Sequence, residues 1–293
     1  KHFAKAADYC NVTQPTLSSM IQKLEEELSV KIFDRSKQPI KPTAEGMLII
    51  ERAWKILVRA KQLKEVVEEE RHSLSGTFHV AVLPTIAPYL IPRFLPQLMN
   101  EYPELDIRVT EMKTEDIHKA LKHGDIDAGI VAQVEGQEGF DSEHLYFEKF
   151  FVYVSKGDAL FNNKAIRTVD LTGEYLWLLD EGHCFREQLV KFCHLKSAAK
   201  SKKAYNLGSI ETFMRIVESG KGVTFIPELA LEQLTEVQKE LVRSFAHPIP
   251  TRDIILLTQK NFLRTSLRQL IIDKIRAAVP ACMLQMNKMQ QAL

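Results

Sequence analysis

Six apolar residues, Ile49, Ala53, Ile56, Ala60, Leu63 and Val67, recur at alternating steps of four and three. That spacing is the seam of a coiled coil. It predicts a helix over 43–72, with Thr43 as its N-cap and Ile50, Trp54 and Leu57 widening the stripe. A helix of that length with no domain core around it should find a partner helix, so the stripe is expected to dimerise the chain. The alternative is one amphipathic helix lying on its own domain. Either way the helix divides the sequence into a short segment, 1–42, and a long one that begins after a hinge at 73–76.

The short segment reads as a helical module. FAKAADYC (3–10) puts its apolar residues on one helical face, and Asn11 breaks it. Thr13 is a good N-cap, and Pro15 suits the first turn of a second helix running to about Leu28. The inner face of that helix is expected to be Leu17, Met20, Ile21, Leu24 and Leu28. Two helices joined by a tight turn form a helix-turn-helix. The stretch 31–46 carries two prolines and is too broken for a helix, so it is expected to form a two-stranded wing.

In such a module the start of the second helix faces base edges. Here that start holds Thr13, Gln14, Pro15, Thr16, Ser18 and Ser19. Gln14 can bond adenine bidentately, the Pro15 ring can meet a thymine methyl, and the hydroxyls can read edges or hold phosphates. Lys5, Lys23, Lys31, Arg35, Lys37 and Lys41 can neutralise phosphates, with Arg35 placed to enter a minor groove. The plainer reading makes all of these caps and solvated charges.

Composition sets limits. The 293 residues are 26% charged and 45% hydrophobic, with a formal net charge of +1. Such a chain buries real cores, which excludes bulk disorder, and it has no global field for a polyanion. Its apolar runs are too short to span a bilayer, so no membrane partner is expected. The opening KHFAKAADYC has no apolar h-region, which leads to an expectation of a cytoplasmic protein. It has no initiator Met and starts inside a helical pattern, so residues are expected upstream.

After Gly76 strands and helices alternate. Strands are expected at 78–83, 106–112 and 127–132, with helices at 91–102 and 117–124 between them, which makes a parallel βαβαβ unit. A second lobe repeats the theme with strands at 151–155, 175–180 and 222–226, helices from Cys184 and over 209–220, a return strand at 253–259 and a closing helix at 263–278. The fold class is therefore a winged helix-turn-helix and linker helix followed by a two-lobed α/β domain over 77–280, with a peripheral tail over 281–293. A ligand would sit in the interlobe cleft.

Four cysteines are present, at 10, 184, 193 and 282. This is neither a disulfide scaffold nor a zinc spacing, and no cofactor or metal is expected. In LLDEGHCFREQLVKFC (178–193), Cys184 opens a helix whose free N–H groups favour anionic sulfur, and His183 and Arg186 flank it. A thiolate there would attack peroxide and give a sulfenic acid, which a second thiol can condense to a disulfide. Nine residues of helix span about 13.5 Å, whereas a disulfide needs Cα atoms about 4.4–6.8 Å apart. Cys184 and Cys193 therefore cannot bond across an intact helix. The plain alternative is that both are small buried hydrophobes. Cys10 and Cys282 have no evident partner.

Two segments carry a family resemblance. ADYCNVTQPTLSSMIQKLEEELSVKIFDR with PIKPTAEG resembles the N-terminal signature of LysR-type transcriptional regulators, although the first helix of that family's DNA-binding domain is absent. GHCFREQ…FC followed by SIETFMRIVESGKGVTFIP resembles the redox segment of the family's OxyR-type peroxide sensors. The resemblance implies Cys184 as the peroxide-reacting residue and Cys193 as the resolving one. It implies Thr85, Thr114, His183 and Arg186 as residues that bind or activate peroxide. Phe185 stands where the family also uses aliphatic residues. Implied too are hydrogen peroxide as a transient effector, double-stranded promoter DNA as target, activation of oxidative-stress genes, and a homodimer assembled into a homotetramer. RNA polymerase and a thiol reductant such as glutaredoxin or thioredoxin are the other implied partners. Two competing readings remain: a regulator gated by a small organic effector in the cleft, and a thiol peroxidase.

Overall fold

The structure is a computed structural model. It describes residues 3–36, 39–70, 74–171, 176–179, 184–193 and 209–293, with side chains in the long helix described up to residue 60 and at 63. The chain divides into two compact units, 1–64 and 65–293.

In the first unit, helix α1 (Phe3–Tyr9) packs on α2 (Gln14–Glu27). Thr13 caps α2: its hydroxyl accepts from the Thr16 N–H and is 2.8 Å from the Thr16 hydroxyl. Pro15 sits in the first turn, where no N–H is needed. The wing is a two-stranded antiparallel ribbon, β1 (Phe33–Asp34) with β2 (Lys41–Pro42). The long helix α3 (Ala44–Glu70) follows, and the Gly46 N–H donates to the Thr43 hydroxyl at 2.9 Å. Gly46 is required there, because a Cβ would lie 2.0 Å from the Ile32 carbonyl oxygen.

The inner face of α2 differs from expectation. Met20, Leu24 and Leu28 are exposed, and the buried residue is Glu25. Only the Glu25 edge of the helix turns toward the wing. There its carboxylate accepts from the Ile32 N–H at 2.7 Å and the Phe33 N–H at 3.1 Å, with Lys31 and Arg35 nearby. Burial raises the pKa of Glu25, but those N–H groups and the two cations outweigh it and hold the carboxyl below its usual value.

The second unit is built on strands β3 (Gly76–Val82), β4 (Leu105–Glu111), β5 (Ala128–Ala132), β6 (Phe140–Val154), β7 (Ala165–Ile166), β8 (Val223–Pro227), β9 (Val242–Phe245), β10 (Ile249–Gln259) and β11 (Gln290–Ala292). The helices are α4 (Ala87–Glu101), α5 (Thr114–His123), α6 (Cys184–Phe192), α7 (Ile210–Ser219), α8 (Glu236–Lys239) and α9 (Thr265–Ala278). Strand order is β4-β3-β5-β10-β6-β9-β7, with β11 beside β10 and β8 beside β6. As the βαβαβ pattern requires, β3 runs parallel to both β4 and β5. Strand β6 serves both lobes: residues 140–149 pair with β10, and 150–154 pair with β8.

Several boundaries move. Helix α4 starts at Ala87, not 91, and contains Pro92 and Pro96. Pro92 leaves the Pro88 carbonyl without its helical N–H, and the Gln233 side-chain amide donates to that carbonyl at 3.1 Å instead. Helix α5 starts at Thr114, so Lys113 is the N-cap and Thr114 does not cap. The strand expected at 175–180 survives as a single bridge from Leu176 to Val223, and residues 175 and 180 lie outside the described residues. The stretch after Pro280 is not merely peripheral: Met283 is buried and β11 runs parallel with β10. Among the described residues no helix is long and apolar enough to cross a membrane.

Replacing Glu25 with Gln removes a charged acceptor from one buried and one half-buried amide and should destabilise the first unit by about 1–3 kcal/mol. Because the folded pKa is depressed, this stabilisation holds above the unfolded value near 4.3 and fades as pH falls through the folded one. Hydrogen exchange at the Ile32 and Phe33 amides of the full chain should quicken in the variant, and at acidic pH in the parent.

Candidate functional site

The second unit gathers its polar groups around one buried cation, Arg252. Strands β6 and β10 place Arg252 directly opposite Glu148, and both are buried. The guanidinium donates to Glu148 Oε2 through Nε at 2.8 Å and lies 2.7 Å from it through Nη2. Its other edge donates to the Thr85 hydroxyl and carbonyl, both at 3.0 Å. Glu148 also accepts from the Leu229 N–H at 3.2 Å. Burial pushes the Glu148 carboxyl up, against the opposing pull of Arg252.

Cys184 sits at the first position of α6 and is buried, as is Cys193 just past its end. Both are free thiols. The Cys193 N–H donates to the Leu189 carbonyl at 2.9 Å, so the backbone stays helical up to the second sulfur. The helical separation therefore holds and keeps the pair apart. Burial raises the pKa of Cys184, against three influences that favour its thiolate: the Arg252 charge, the Thr114 hydroxyl and the Phe185 N–H. Burial alone pushes Cys193 up to about 12.

The Phe185 N–H favours the thiolate as the helix start predicts, but among the described residues the charge comes from outside the segment. The cation acting on Cys184 is Arg252, 68 residues away in sequence. Arg186 instead donates to the Leu179 carbonyl at 3.0 Å. His183 lies outside the described residues. Thr85 and Thr114 do converge here. Thr85 is buried against Arg252, and the buried Thr114 hydroxyl makes no ordinary hydrogen bond among the described residues while facing the sulfur. One turn beyond Cys184, buried Gln188 donates to the Gln133 carbonyl at 3.3 Å and leaves its own oxygen without a partner among the described residues.

Sequence reasoning missed Arg252 and Glu148. The available signal was a pair of adjacent charges inside an apolar strand run, once in LYFEKFFVYV and once in TRDIILLT, where strand alternation turns one of each pair inward. Charged residues are almost never fully buried unless paired.

In the first unit Thr13, Gln14, Pro15, Thr16, Ser19 and Lys41 are exposed and Ser18 is half-buried, so the start of α2 presents a polar surface. Lys37 lies outside the described residues. Arg35 is engaged rather than extended: it donates to the Ser18 hydroxyl at 3.3 Å, lies 3.6 Å from Glu25 and covers the Phe3 ring. On α3 the stripe is largely uncovered, with Ile56 68% and Leu63 72% exposed. Ala53 and Ala60 are exposed and Ile49 is half-buried, while the Val67 side chain lies outside the described residues.

Comparison with known proteins matches both units. The family described as LysR substrate binding domain matches residues 71–280, and the bacterial regulatory helix-turn-helix protein, lysR family, matches residues 1–47. A hydrogen peroxide-inducible genes activator of Pectobacterium carotovorum subsp. carotovorum is 31% identical over 288 residues, covering 98% of this chain and 95% of the relative. A crystal structure of OxyR from Porphyromonas gingivalis is 46% identical, with a TM-score of 0.70 over 74% of this chain and 99% of that one. A full-length OxyR variant from Pseudomonas aeruginosa is 31% identical, with a TM-score of 0.74 over 94% of this chain and 92% of that one.

Arg252→Ala would leave Glu148 buried without its cation and should cost about 3–5 kcal/mol, measurable by denaturant unfolding. Alkaline titration gives a second check. A thiol whose folded pKa is raised to about 12 stabilises the fold fully below its unfolded value near 8.5, and that contribution is lost as pH rises toward the folded value. Between pH 9 and 11 the melting temperature of the reduced parent should therefore fall more steeply than that of Cys193→Ala.

Proposed function

Because the chain belongs to the LysR family of transcriptional regulators, on its OxyR-type hydrogen-peroxide-responsive branch, we propose that it senses peroxide by a reversible disulfide between Cys184 and Cys193. The observation that carries this reading is the convergence of Arg252, Thr85 and Thr114 on a buried thiol at one end of a helix whose other end holds a second buried thiol.

The Cys184 sulfur attacks one oxygen of hydrogen peroxide, and the O–O bond breaks. That oxygen stays on sulfur as sulfenic acid, while the departing hydroxide takes the thiol proton and leaves as water. Sulfur has lost two electrons and peroxide has gained them. Arg252 supplies positive charge where negative charge develops on sulfur and on the leaving oxygen. The Thr85 and Thr114 hydroxyls hold the peroxide, with His183 and Arg186 as further candidates. Cys193 then attacks the sulfenic sulfur, the S–S bond forms, and the hydroxyl leaves with the Cys193 proton as a second water. This second step requires α6 to give up helical turns. A dithiol or glutathione-type reductant returns the pair to thiols.

For the DNA-binding half, Thr13, Gln14, Pro15, Thr16, Ser18 and Ser19 contact the major groove of a promoter, with Arg35, Lys37 and Lys41 on the backbone and wing side. Ile49, Ala53, Ile56, Ala60, Leu63 and Val67 pair the linker helices of two chains, and two dimers form a tetramer. The redox change alters the spacing of the reading heads and, through it, recruitment of RNA polymerase.

Cys193→Ser decides the matter. Stoichiometric peroxide should leave a sulfenic acid at Cys184, trapped by a dimedone-type reagent, with no disulfide and with the promoter footprint of the reduced protein. A Cys193→Ser variant that still switches its footprint reversibly would remove Cys193 from the mechanism.

A further inference from the structure

The Arg252 guanidinium is held at its edges by Glu148 and Thr85, and it lies over two neighbouring rings. Its carbon lies 5.6 Å from the Phe150 centroid and 5.2 Å from that of Phe185, and the two rings are 4.8 Å apart. All three side chains are buried. Phe150, Glu148 and Arg252 belong to β6 and β10, the paired strands at the centre of the sheet. Phe185 differs from them: it rides on α6, immediately after Cys184.

Closing the Cα separation from about 13.5 Å to disulfide range requires at least one turn of α6 to be given up. The first turn is the end that oxidation acts on directly, since it carries Cys184. At the other end the Cys193 N–H is bonded to the Leu189 carbonyl, and Phe192 packs edge-on against Phe245. If the first turn opens, Phe185 must leave Arg252. A cation–π contact is strongest when desolvated, as this one is.

We propose that Phe185 sets the redox balance of the switch: its ring on Arg252 is a contact that the reduced, helical α6 makes and the disulfide form surrenders. The inference rests on the Cys184–Cys193 disulfide proposed above. The family resemblance admits aliphatic residues at this position, so a chain with Leu there should fold and be oxidised more readily than this one. The ring is thus a device, lacking in any chain with an aliphatic residue there, that raises the peroxide exposure needed to hold the pair oxidised.

The test uses the full chain with Phe185→Leu, and with Phe185→Met to keep side-chain volume without a π face. Each protein is equilibrated in glutathione buffers, and the Cys184–Cys193 disulfide is quantified by peptide mass. Both variants should need a more reducing mixture to reach half reduction, by about tenfold in the equilibrium constant, or about 30 mV for a two-electron couple. The melting temperature of the reduced form should fall, and that of the oxidised form should stay. An unmoved midpoint, or equal loss of stability in the two forms, overturns the proposal. A parent chain that forms no such disulfide overturns this proposal and the preceding reading together, whereas a disulfide with an unmoved midpoint overturns this one alone.

Discussion

A guanidinium with no solvent exposure would cost several kcal/mol if it stood alone. Arg252 does not stand alone, and the satisfaction of its charge organises the second unit. One carboxylate takes two of its N–H groups, one threonine takes two more, and two aromatic rings flank it on one side. The donors and acceptors come from β6, β10 and the turn between β3 and α4, and the rings come from β6 and α6. A displacement of any of these elements exposes or unpairs a buried charge. The position of the cation beside Cys184 is therefore fixed by the same contacts that hold the elements together, and preorganised charge of this kind needs no rearrangement when negative charge develops on sulfur.

Burial and activation oppose each other at this thiol. The site that supplies the cation also withholds water, and withholding water disfavours the thiolate. The balance lets Cys184 rest as a neutral thiol whose ionic form is selectively favoured by groups aimed at it. Among the described residues Cys193 has no such groups: burial is its sole influence there, and its thiol is held at about 12. The asymmetry separates the two cysteines chemically. Both are buried small residues, but one faces a charge and a hydroxyl, whereas burial alone bears on the other among the described residues.

Local patterns were legible in the sequence, and long-range convergence was not. Thr13 and Thr43 cap the helices their side chains suit, and the parallel β3–β4–β5 order follows from strand-helix alternation. Cys184 opens α6 as the helix signal implies. The segment offers His183 and Arg186 as sources of charge, because flanking residues are all that a segment reveals. Arg252 reaches the sulfur only because β10 returns antiparallel beside β6, which places residue 252 opposite residue 148. Arg35 likewise reads as free to leave the wing, yet a buried acid on α2, Glu25, draws it back onto the helix it flanks. In both cases a buried carboxylate with no local signature decides where an arginine lies.

The short length of α6 is what makes a covalent event at one residue consequential for its surroundings. Nine residues are too few for a helix to persist by its own hydrogen bonds in water. The helix exists because Cys184, Phe185, Gln188 and Leu189 are buried against the rest of the unit. Two of those seats, those of Cys184 and Phe185, converge on Arg252. Adding oxygen to the Cys184 sulfur enlarges it and makes it polar within a site packed to fit a thiol, so it weakens the contacts on which the first turn depends. An independently stable helix would absorb such a change locally. One held by packing passes it to the helix as a whole, which turns the oxidation of a single sulfur atom into a change of backbone state.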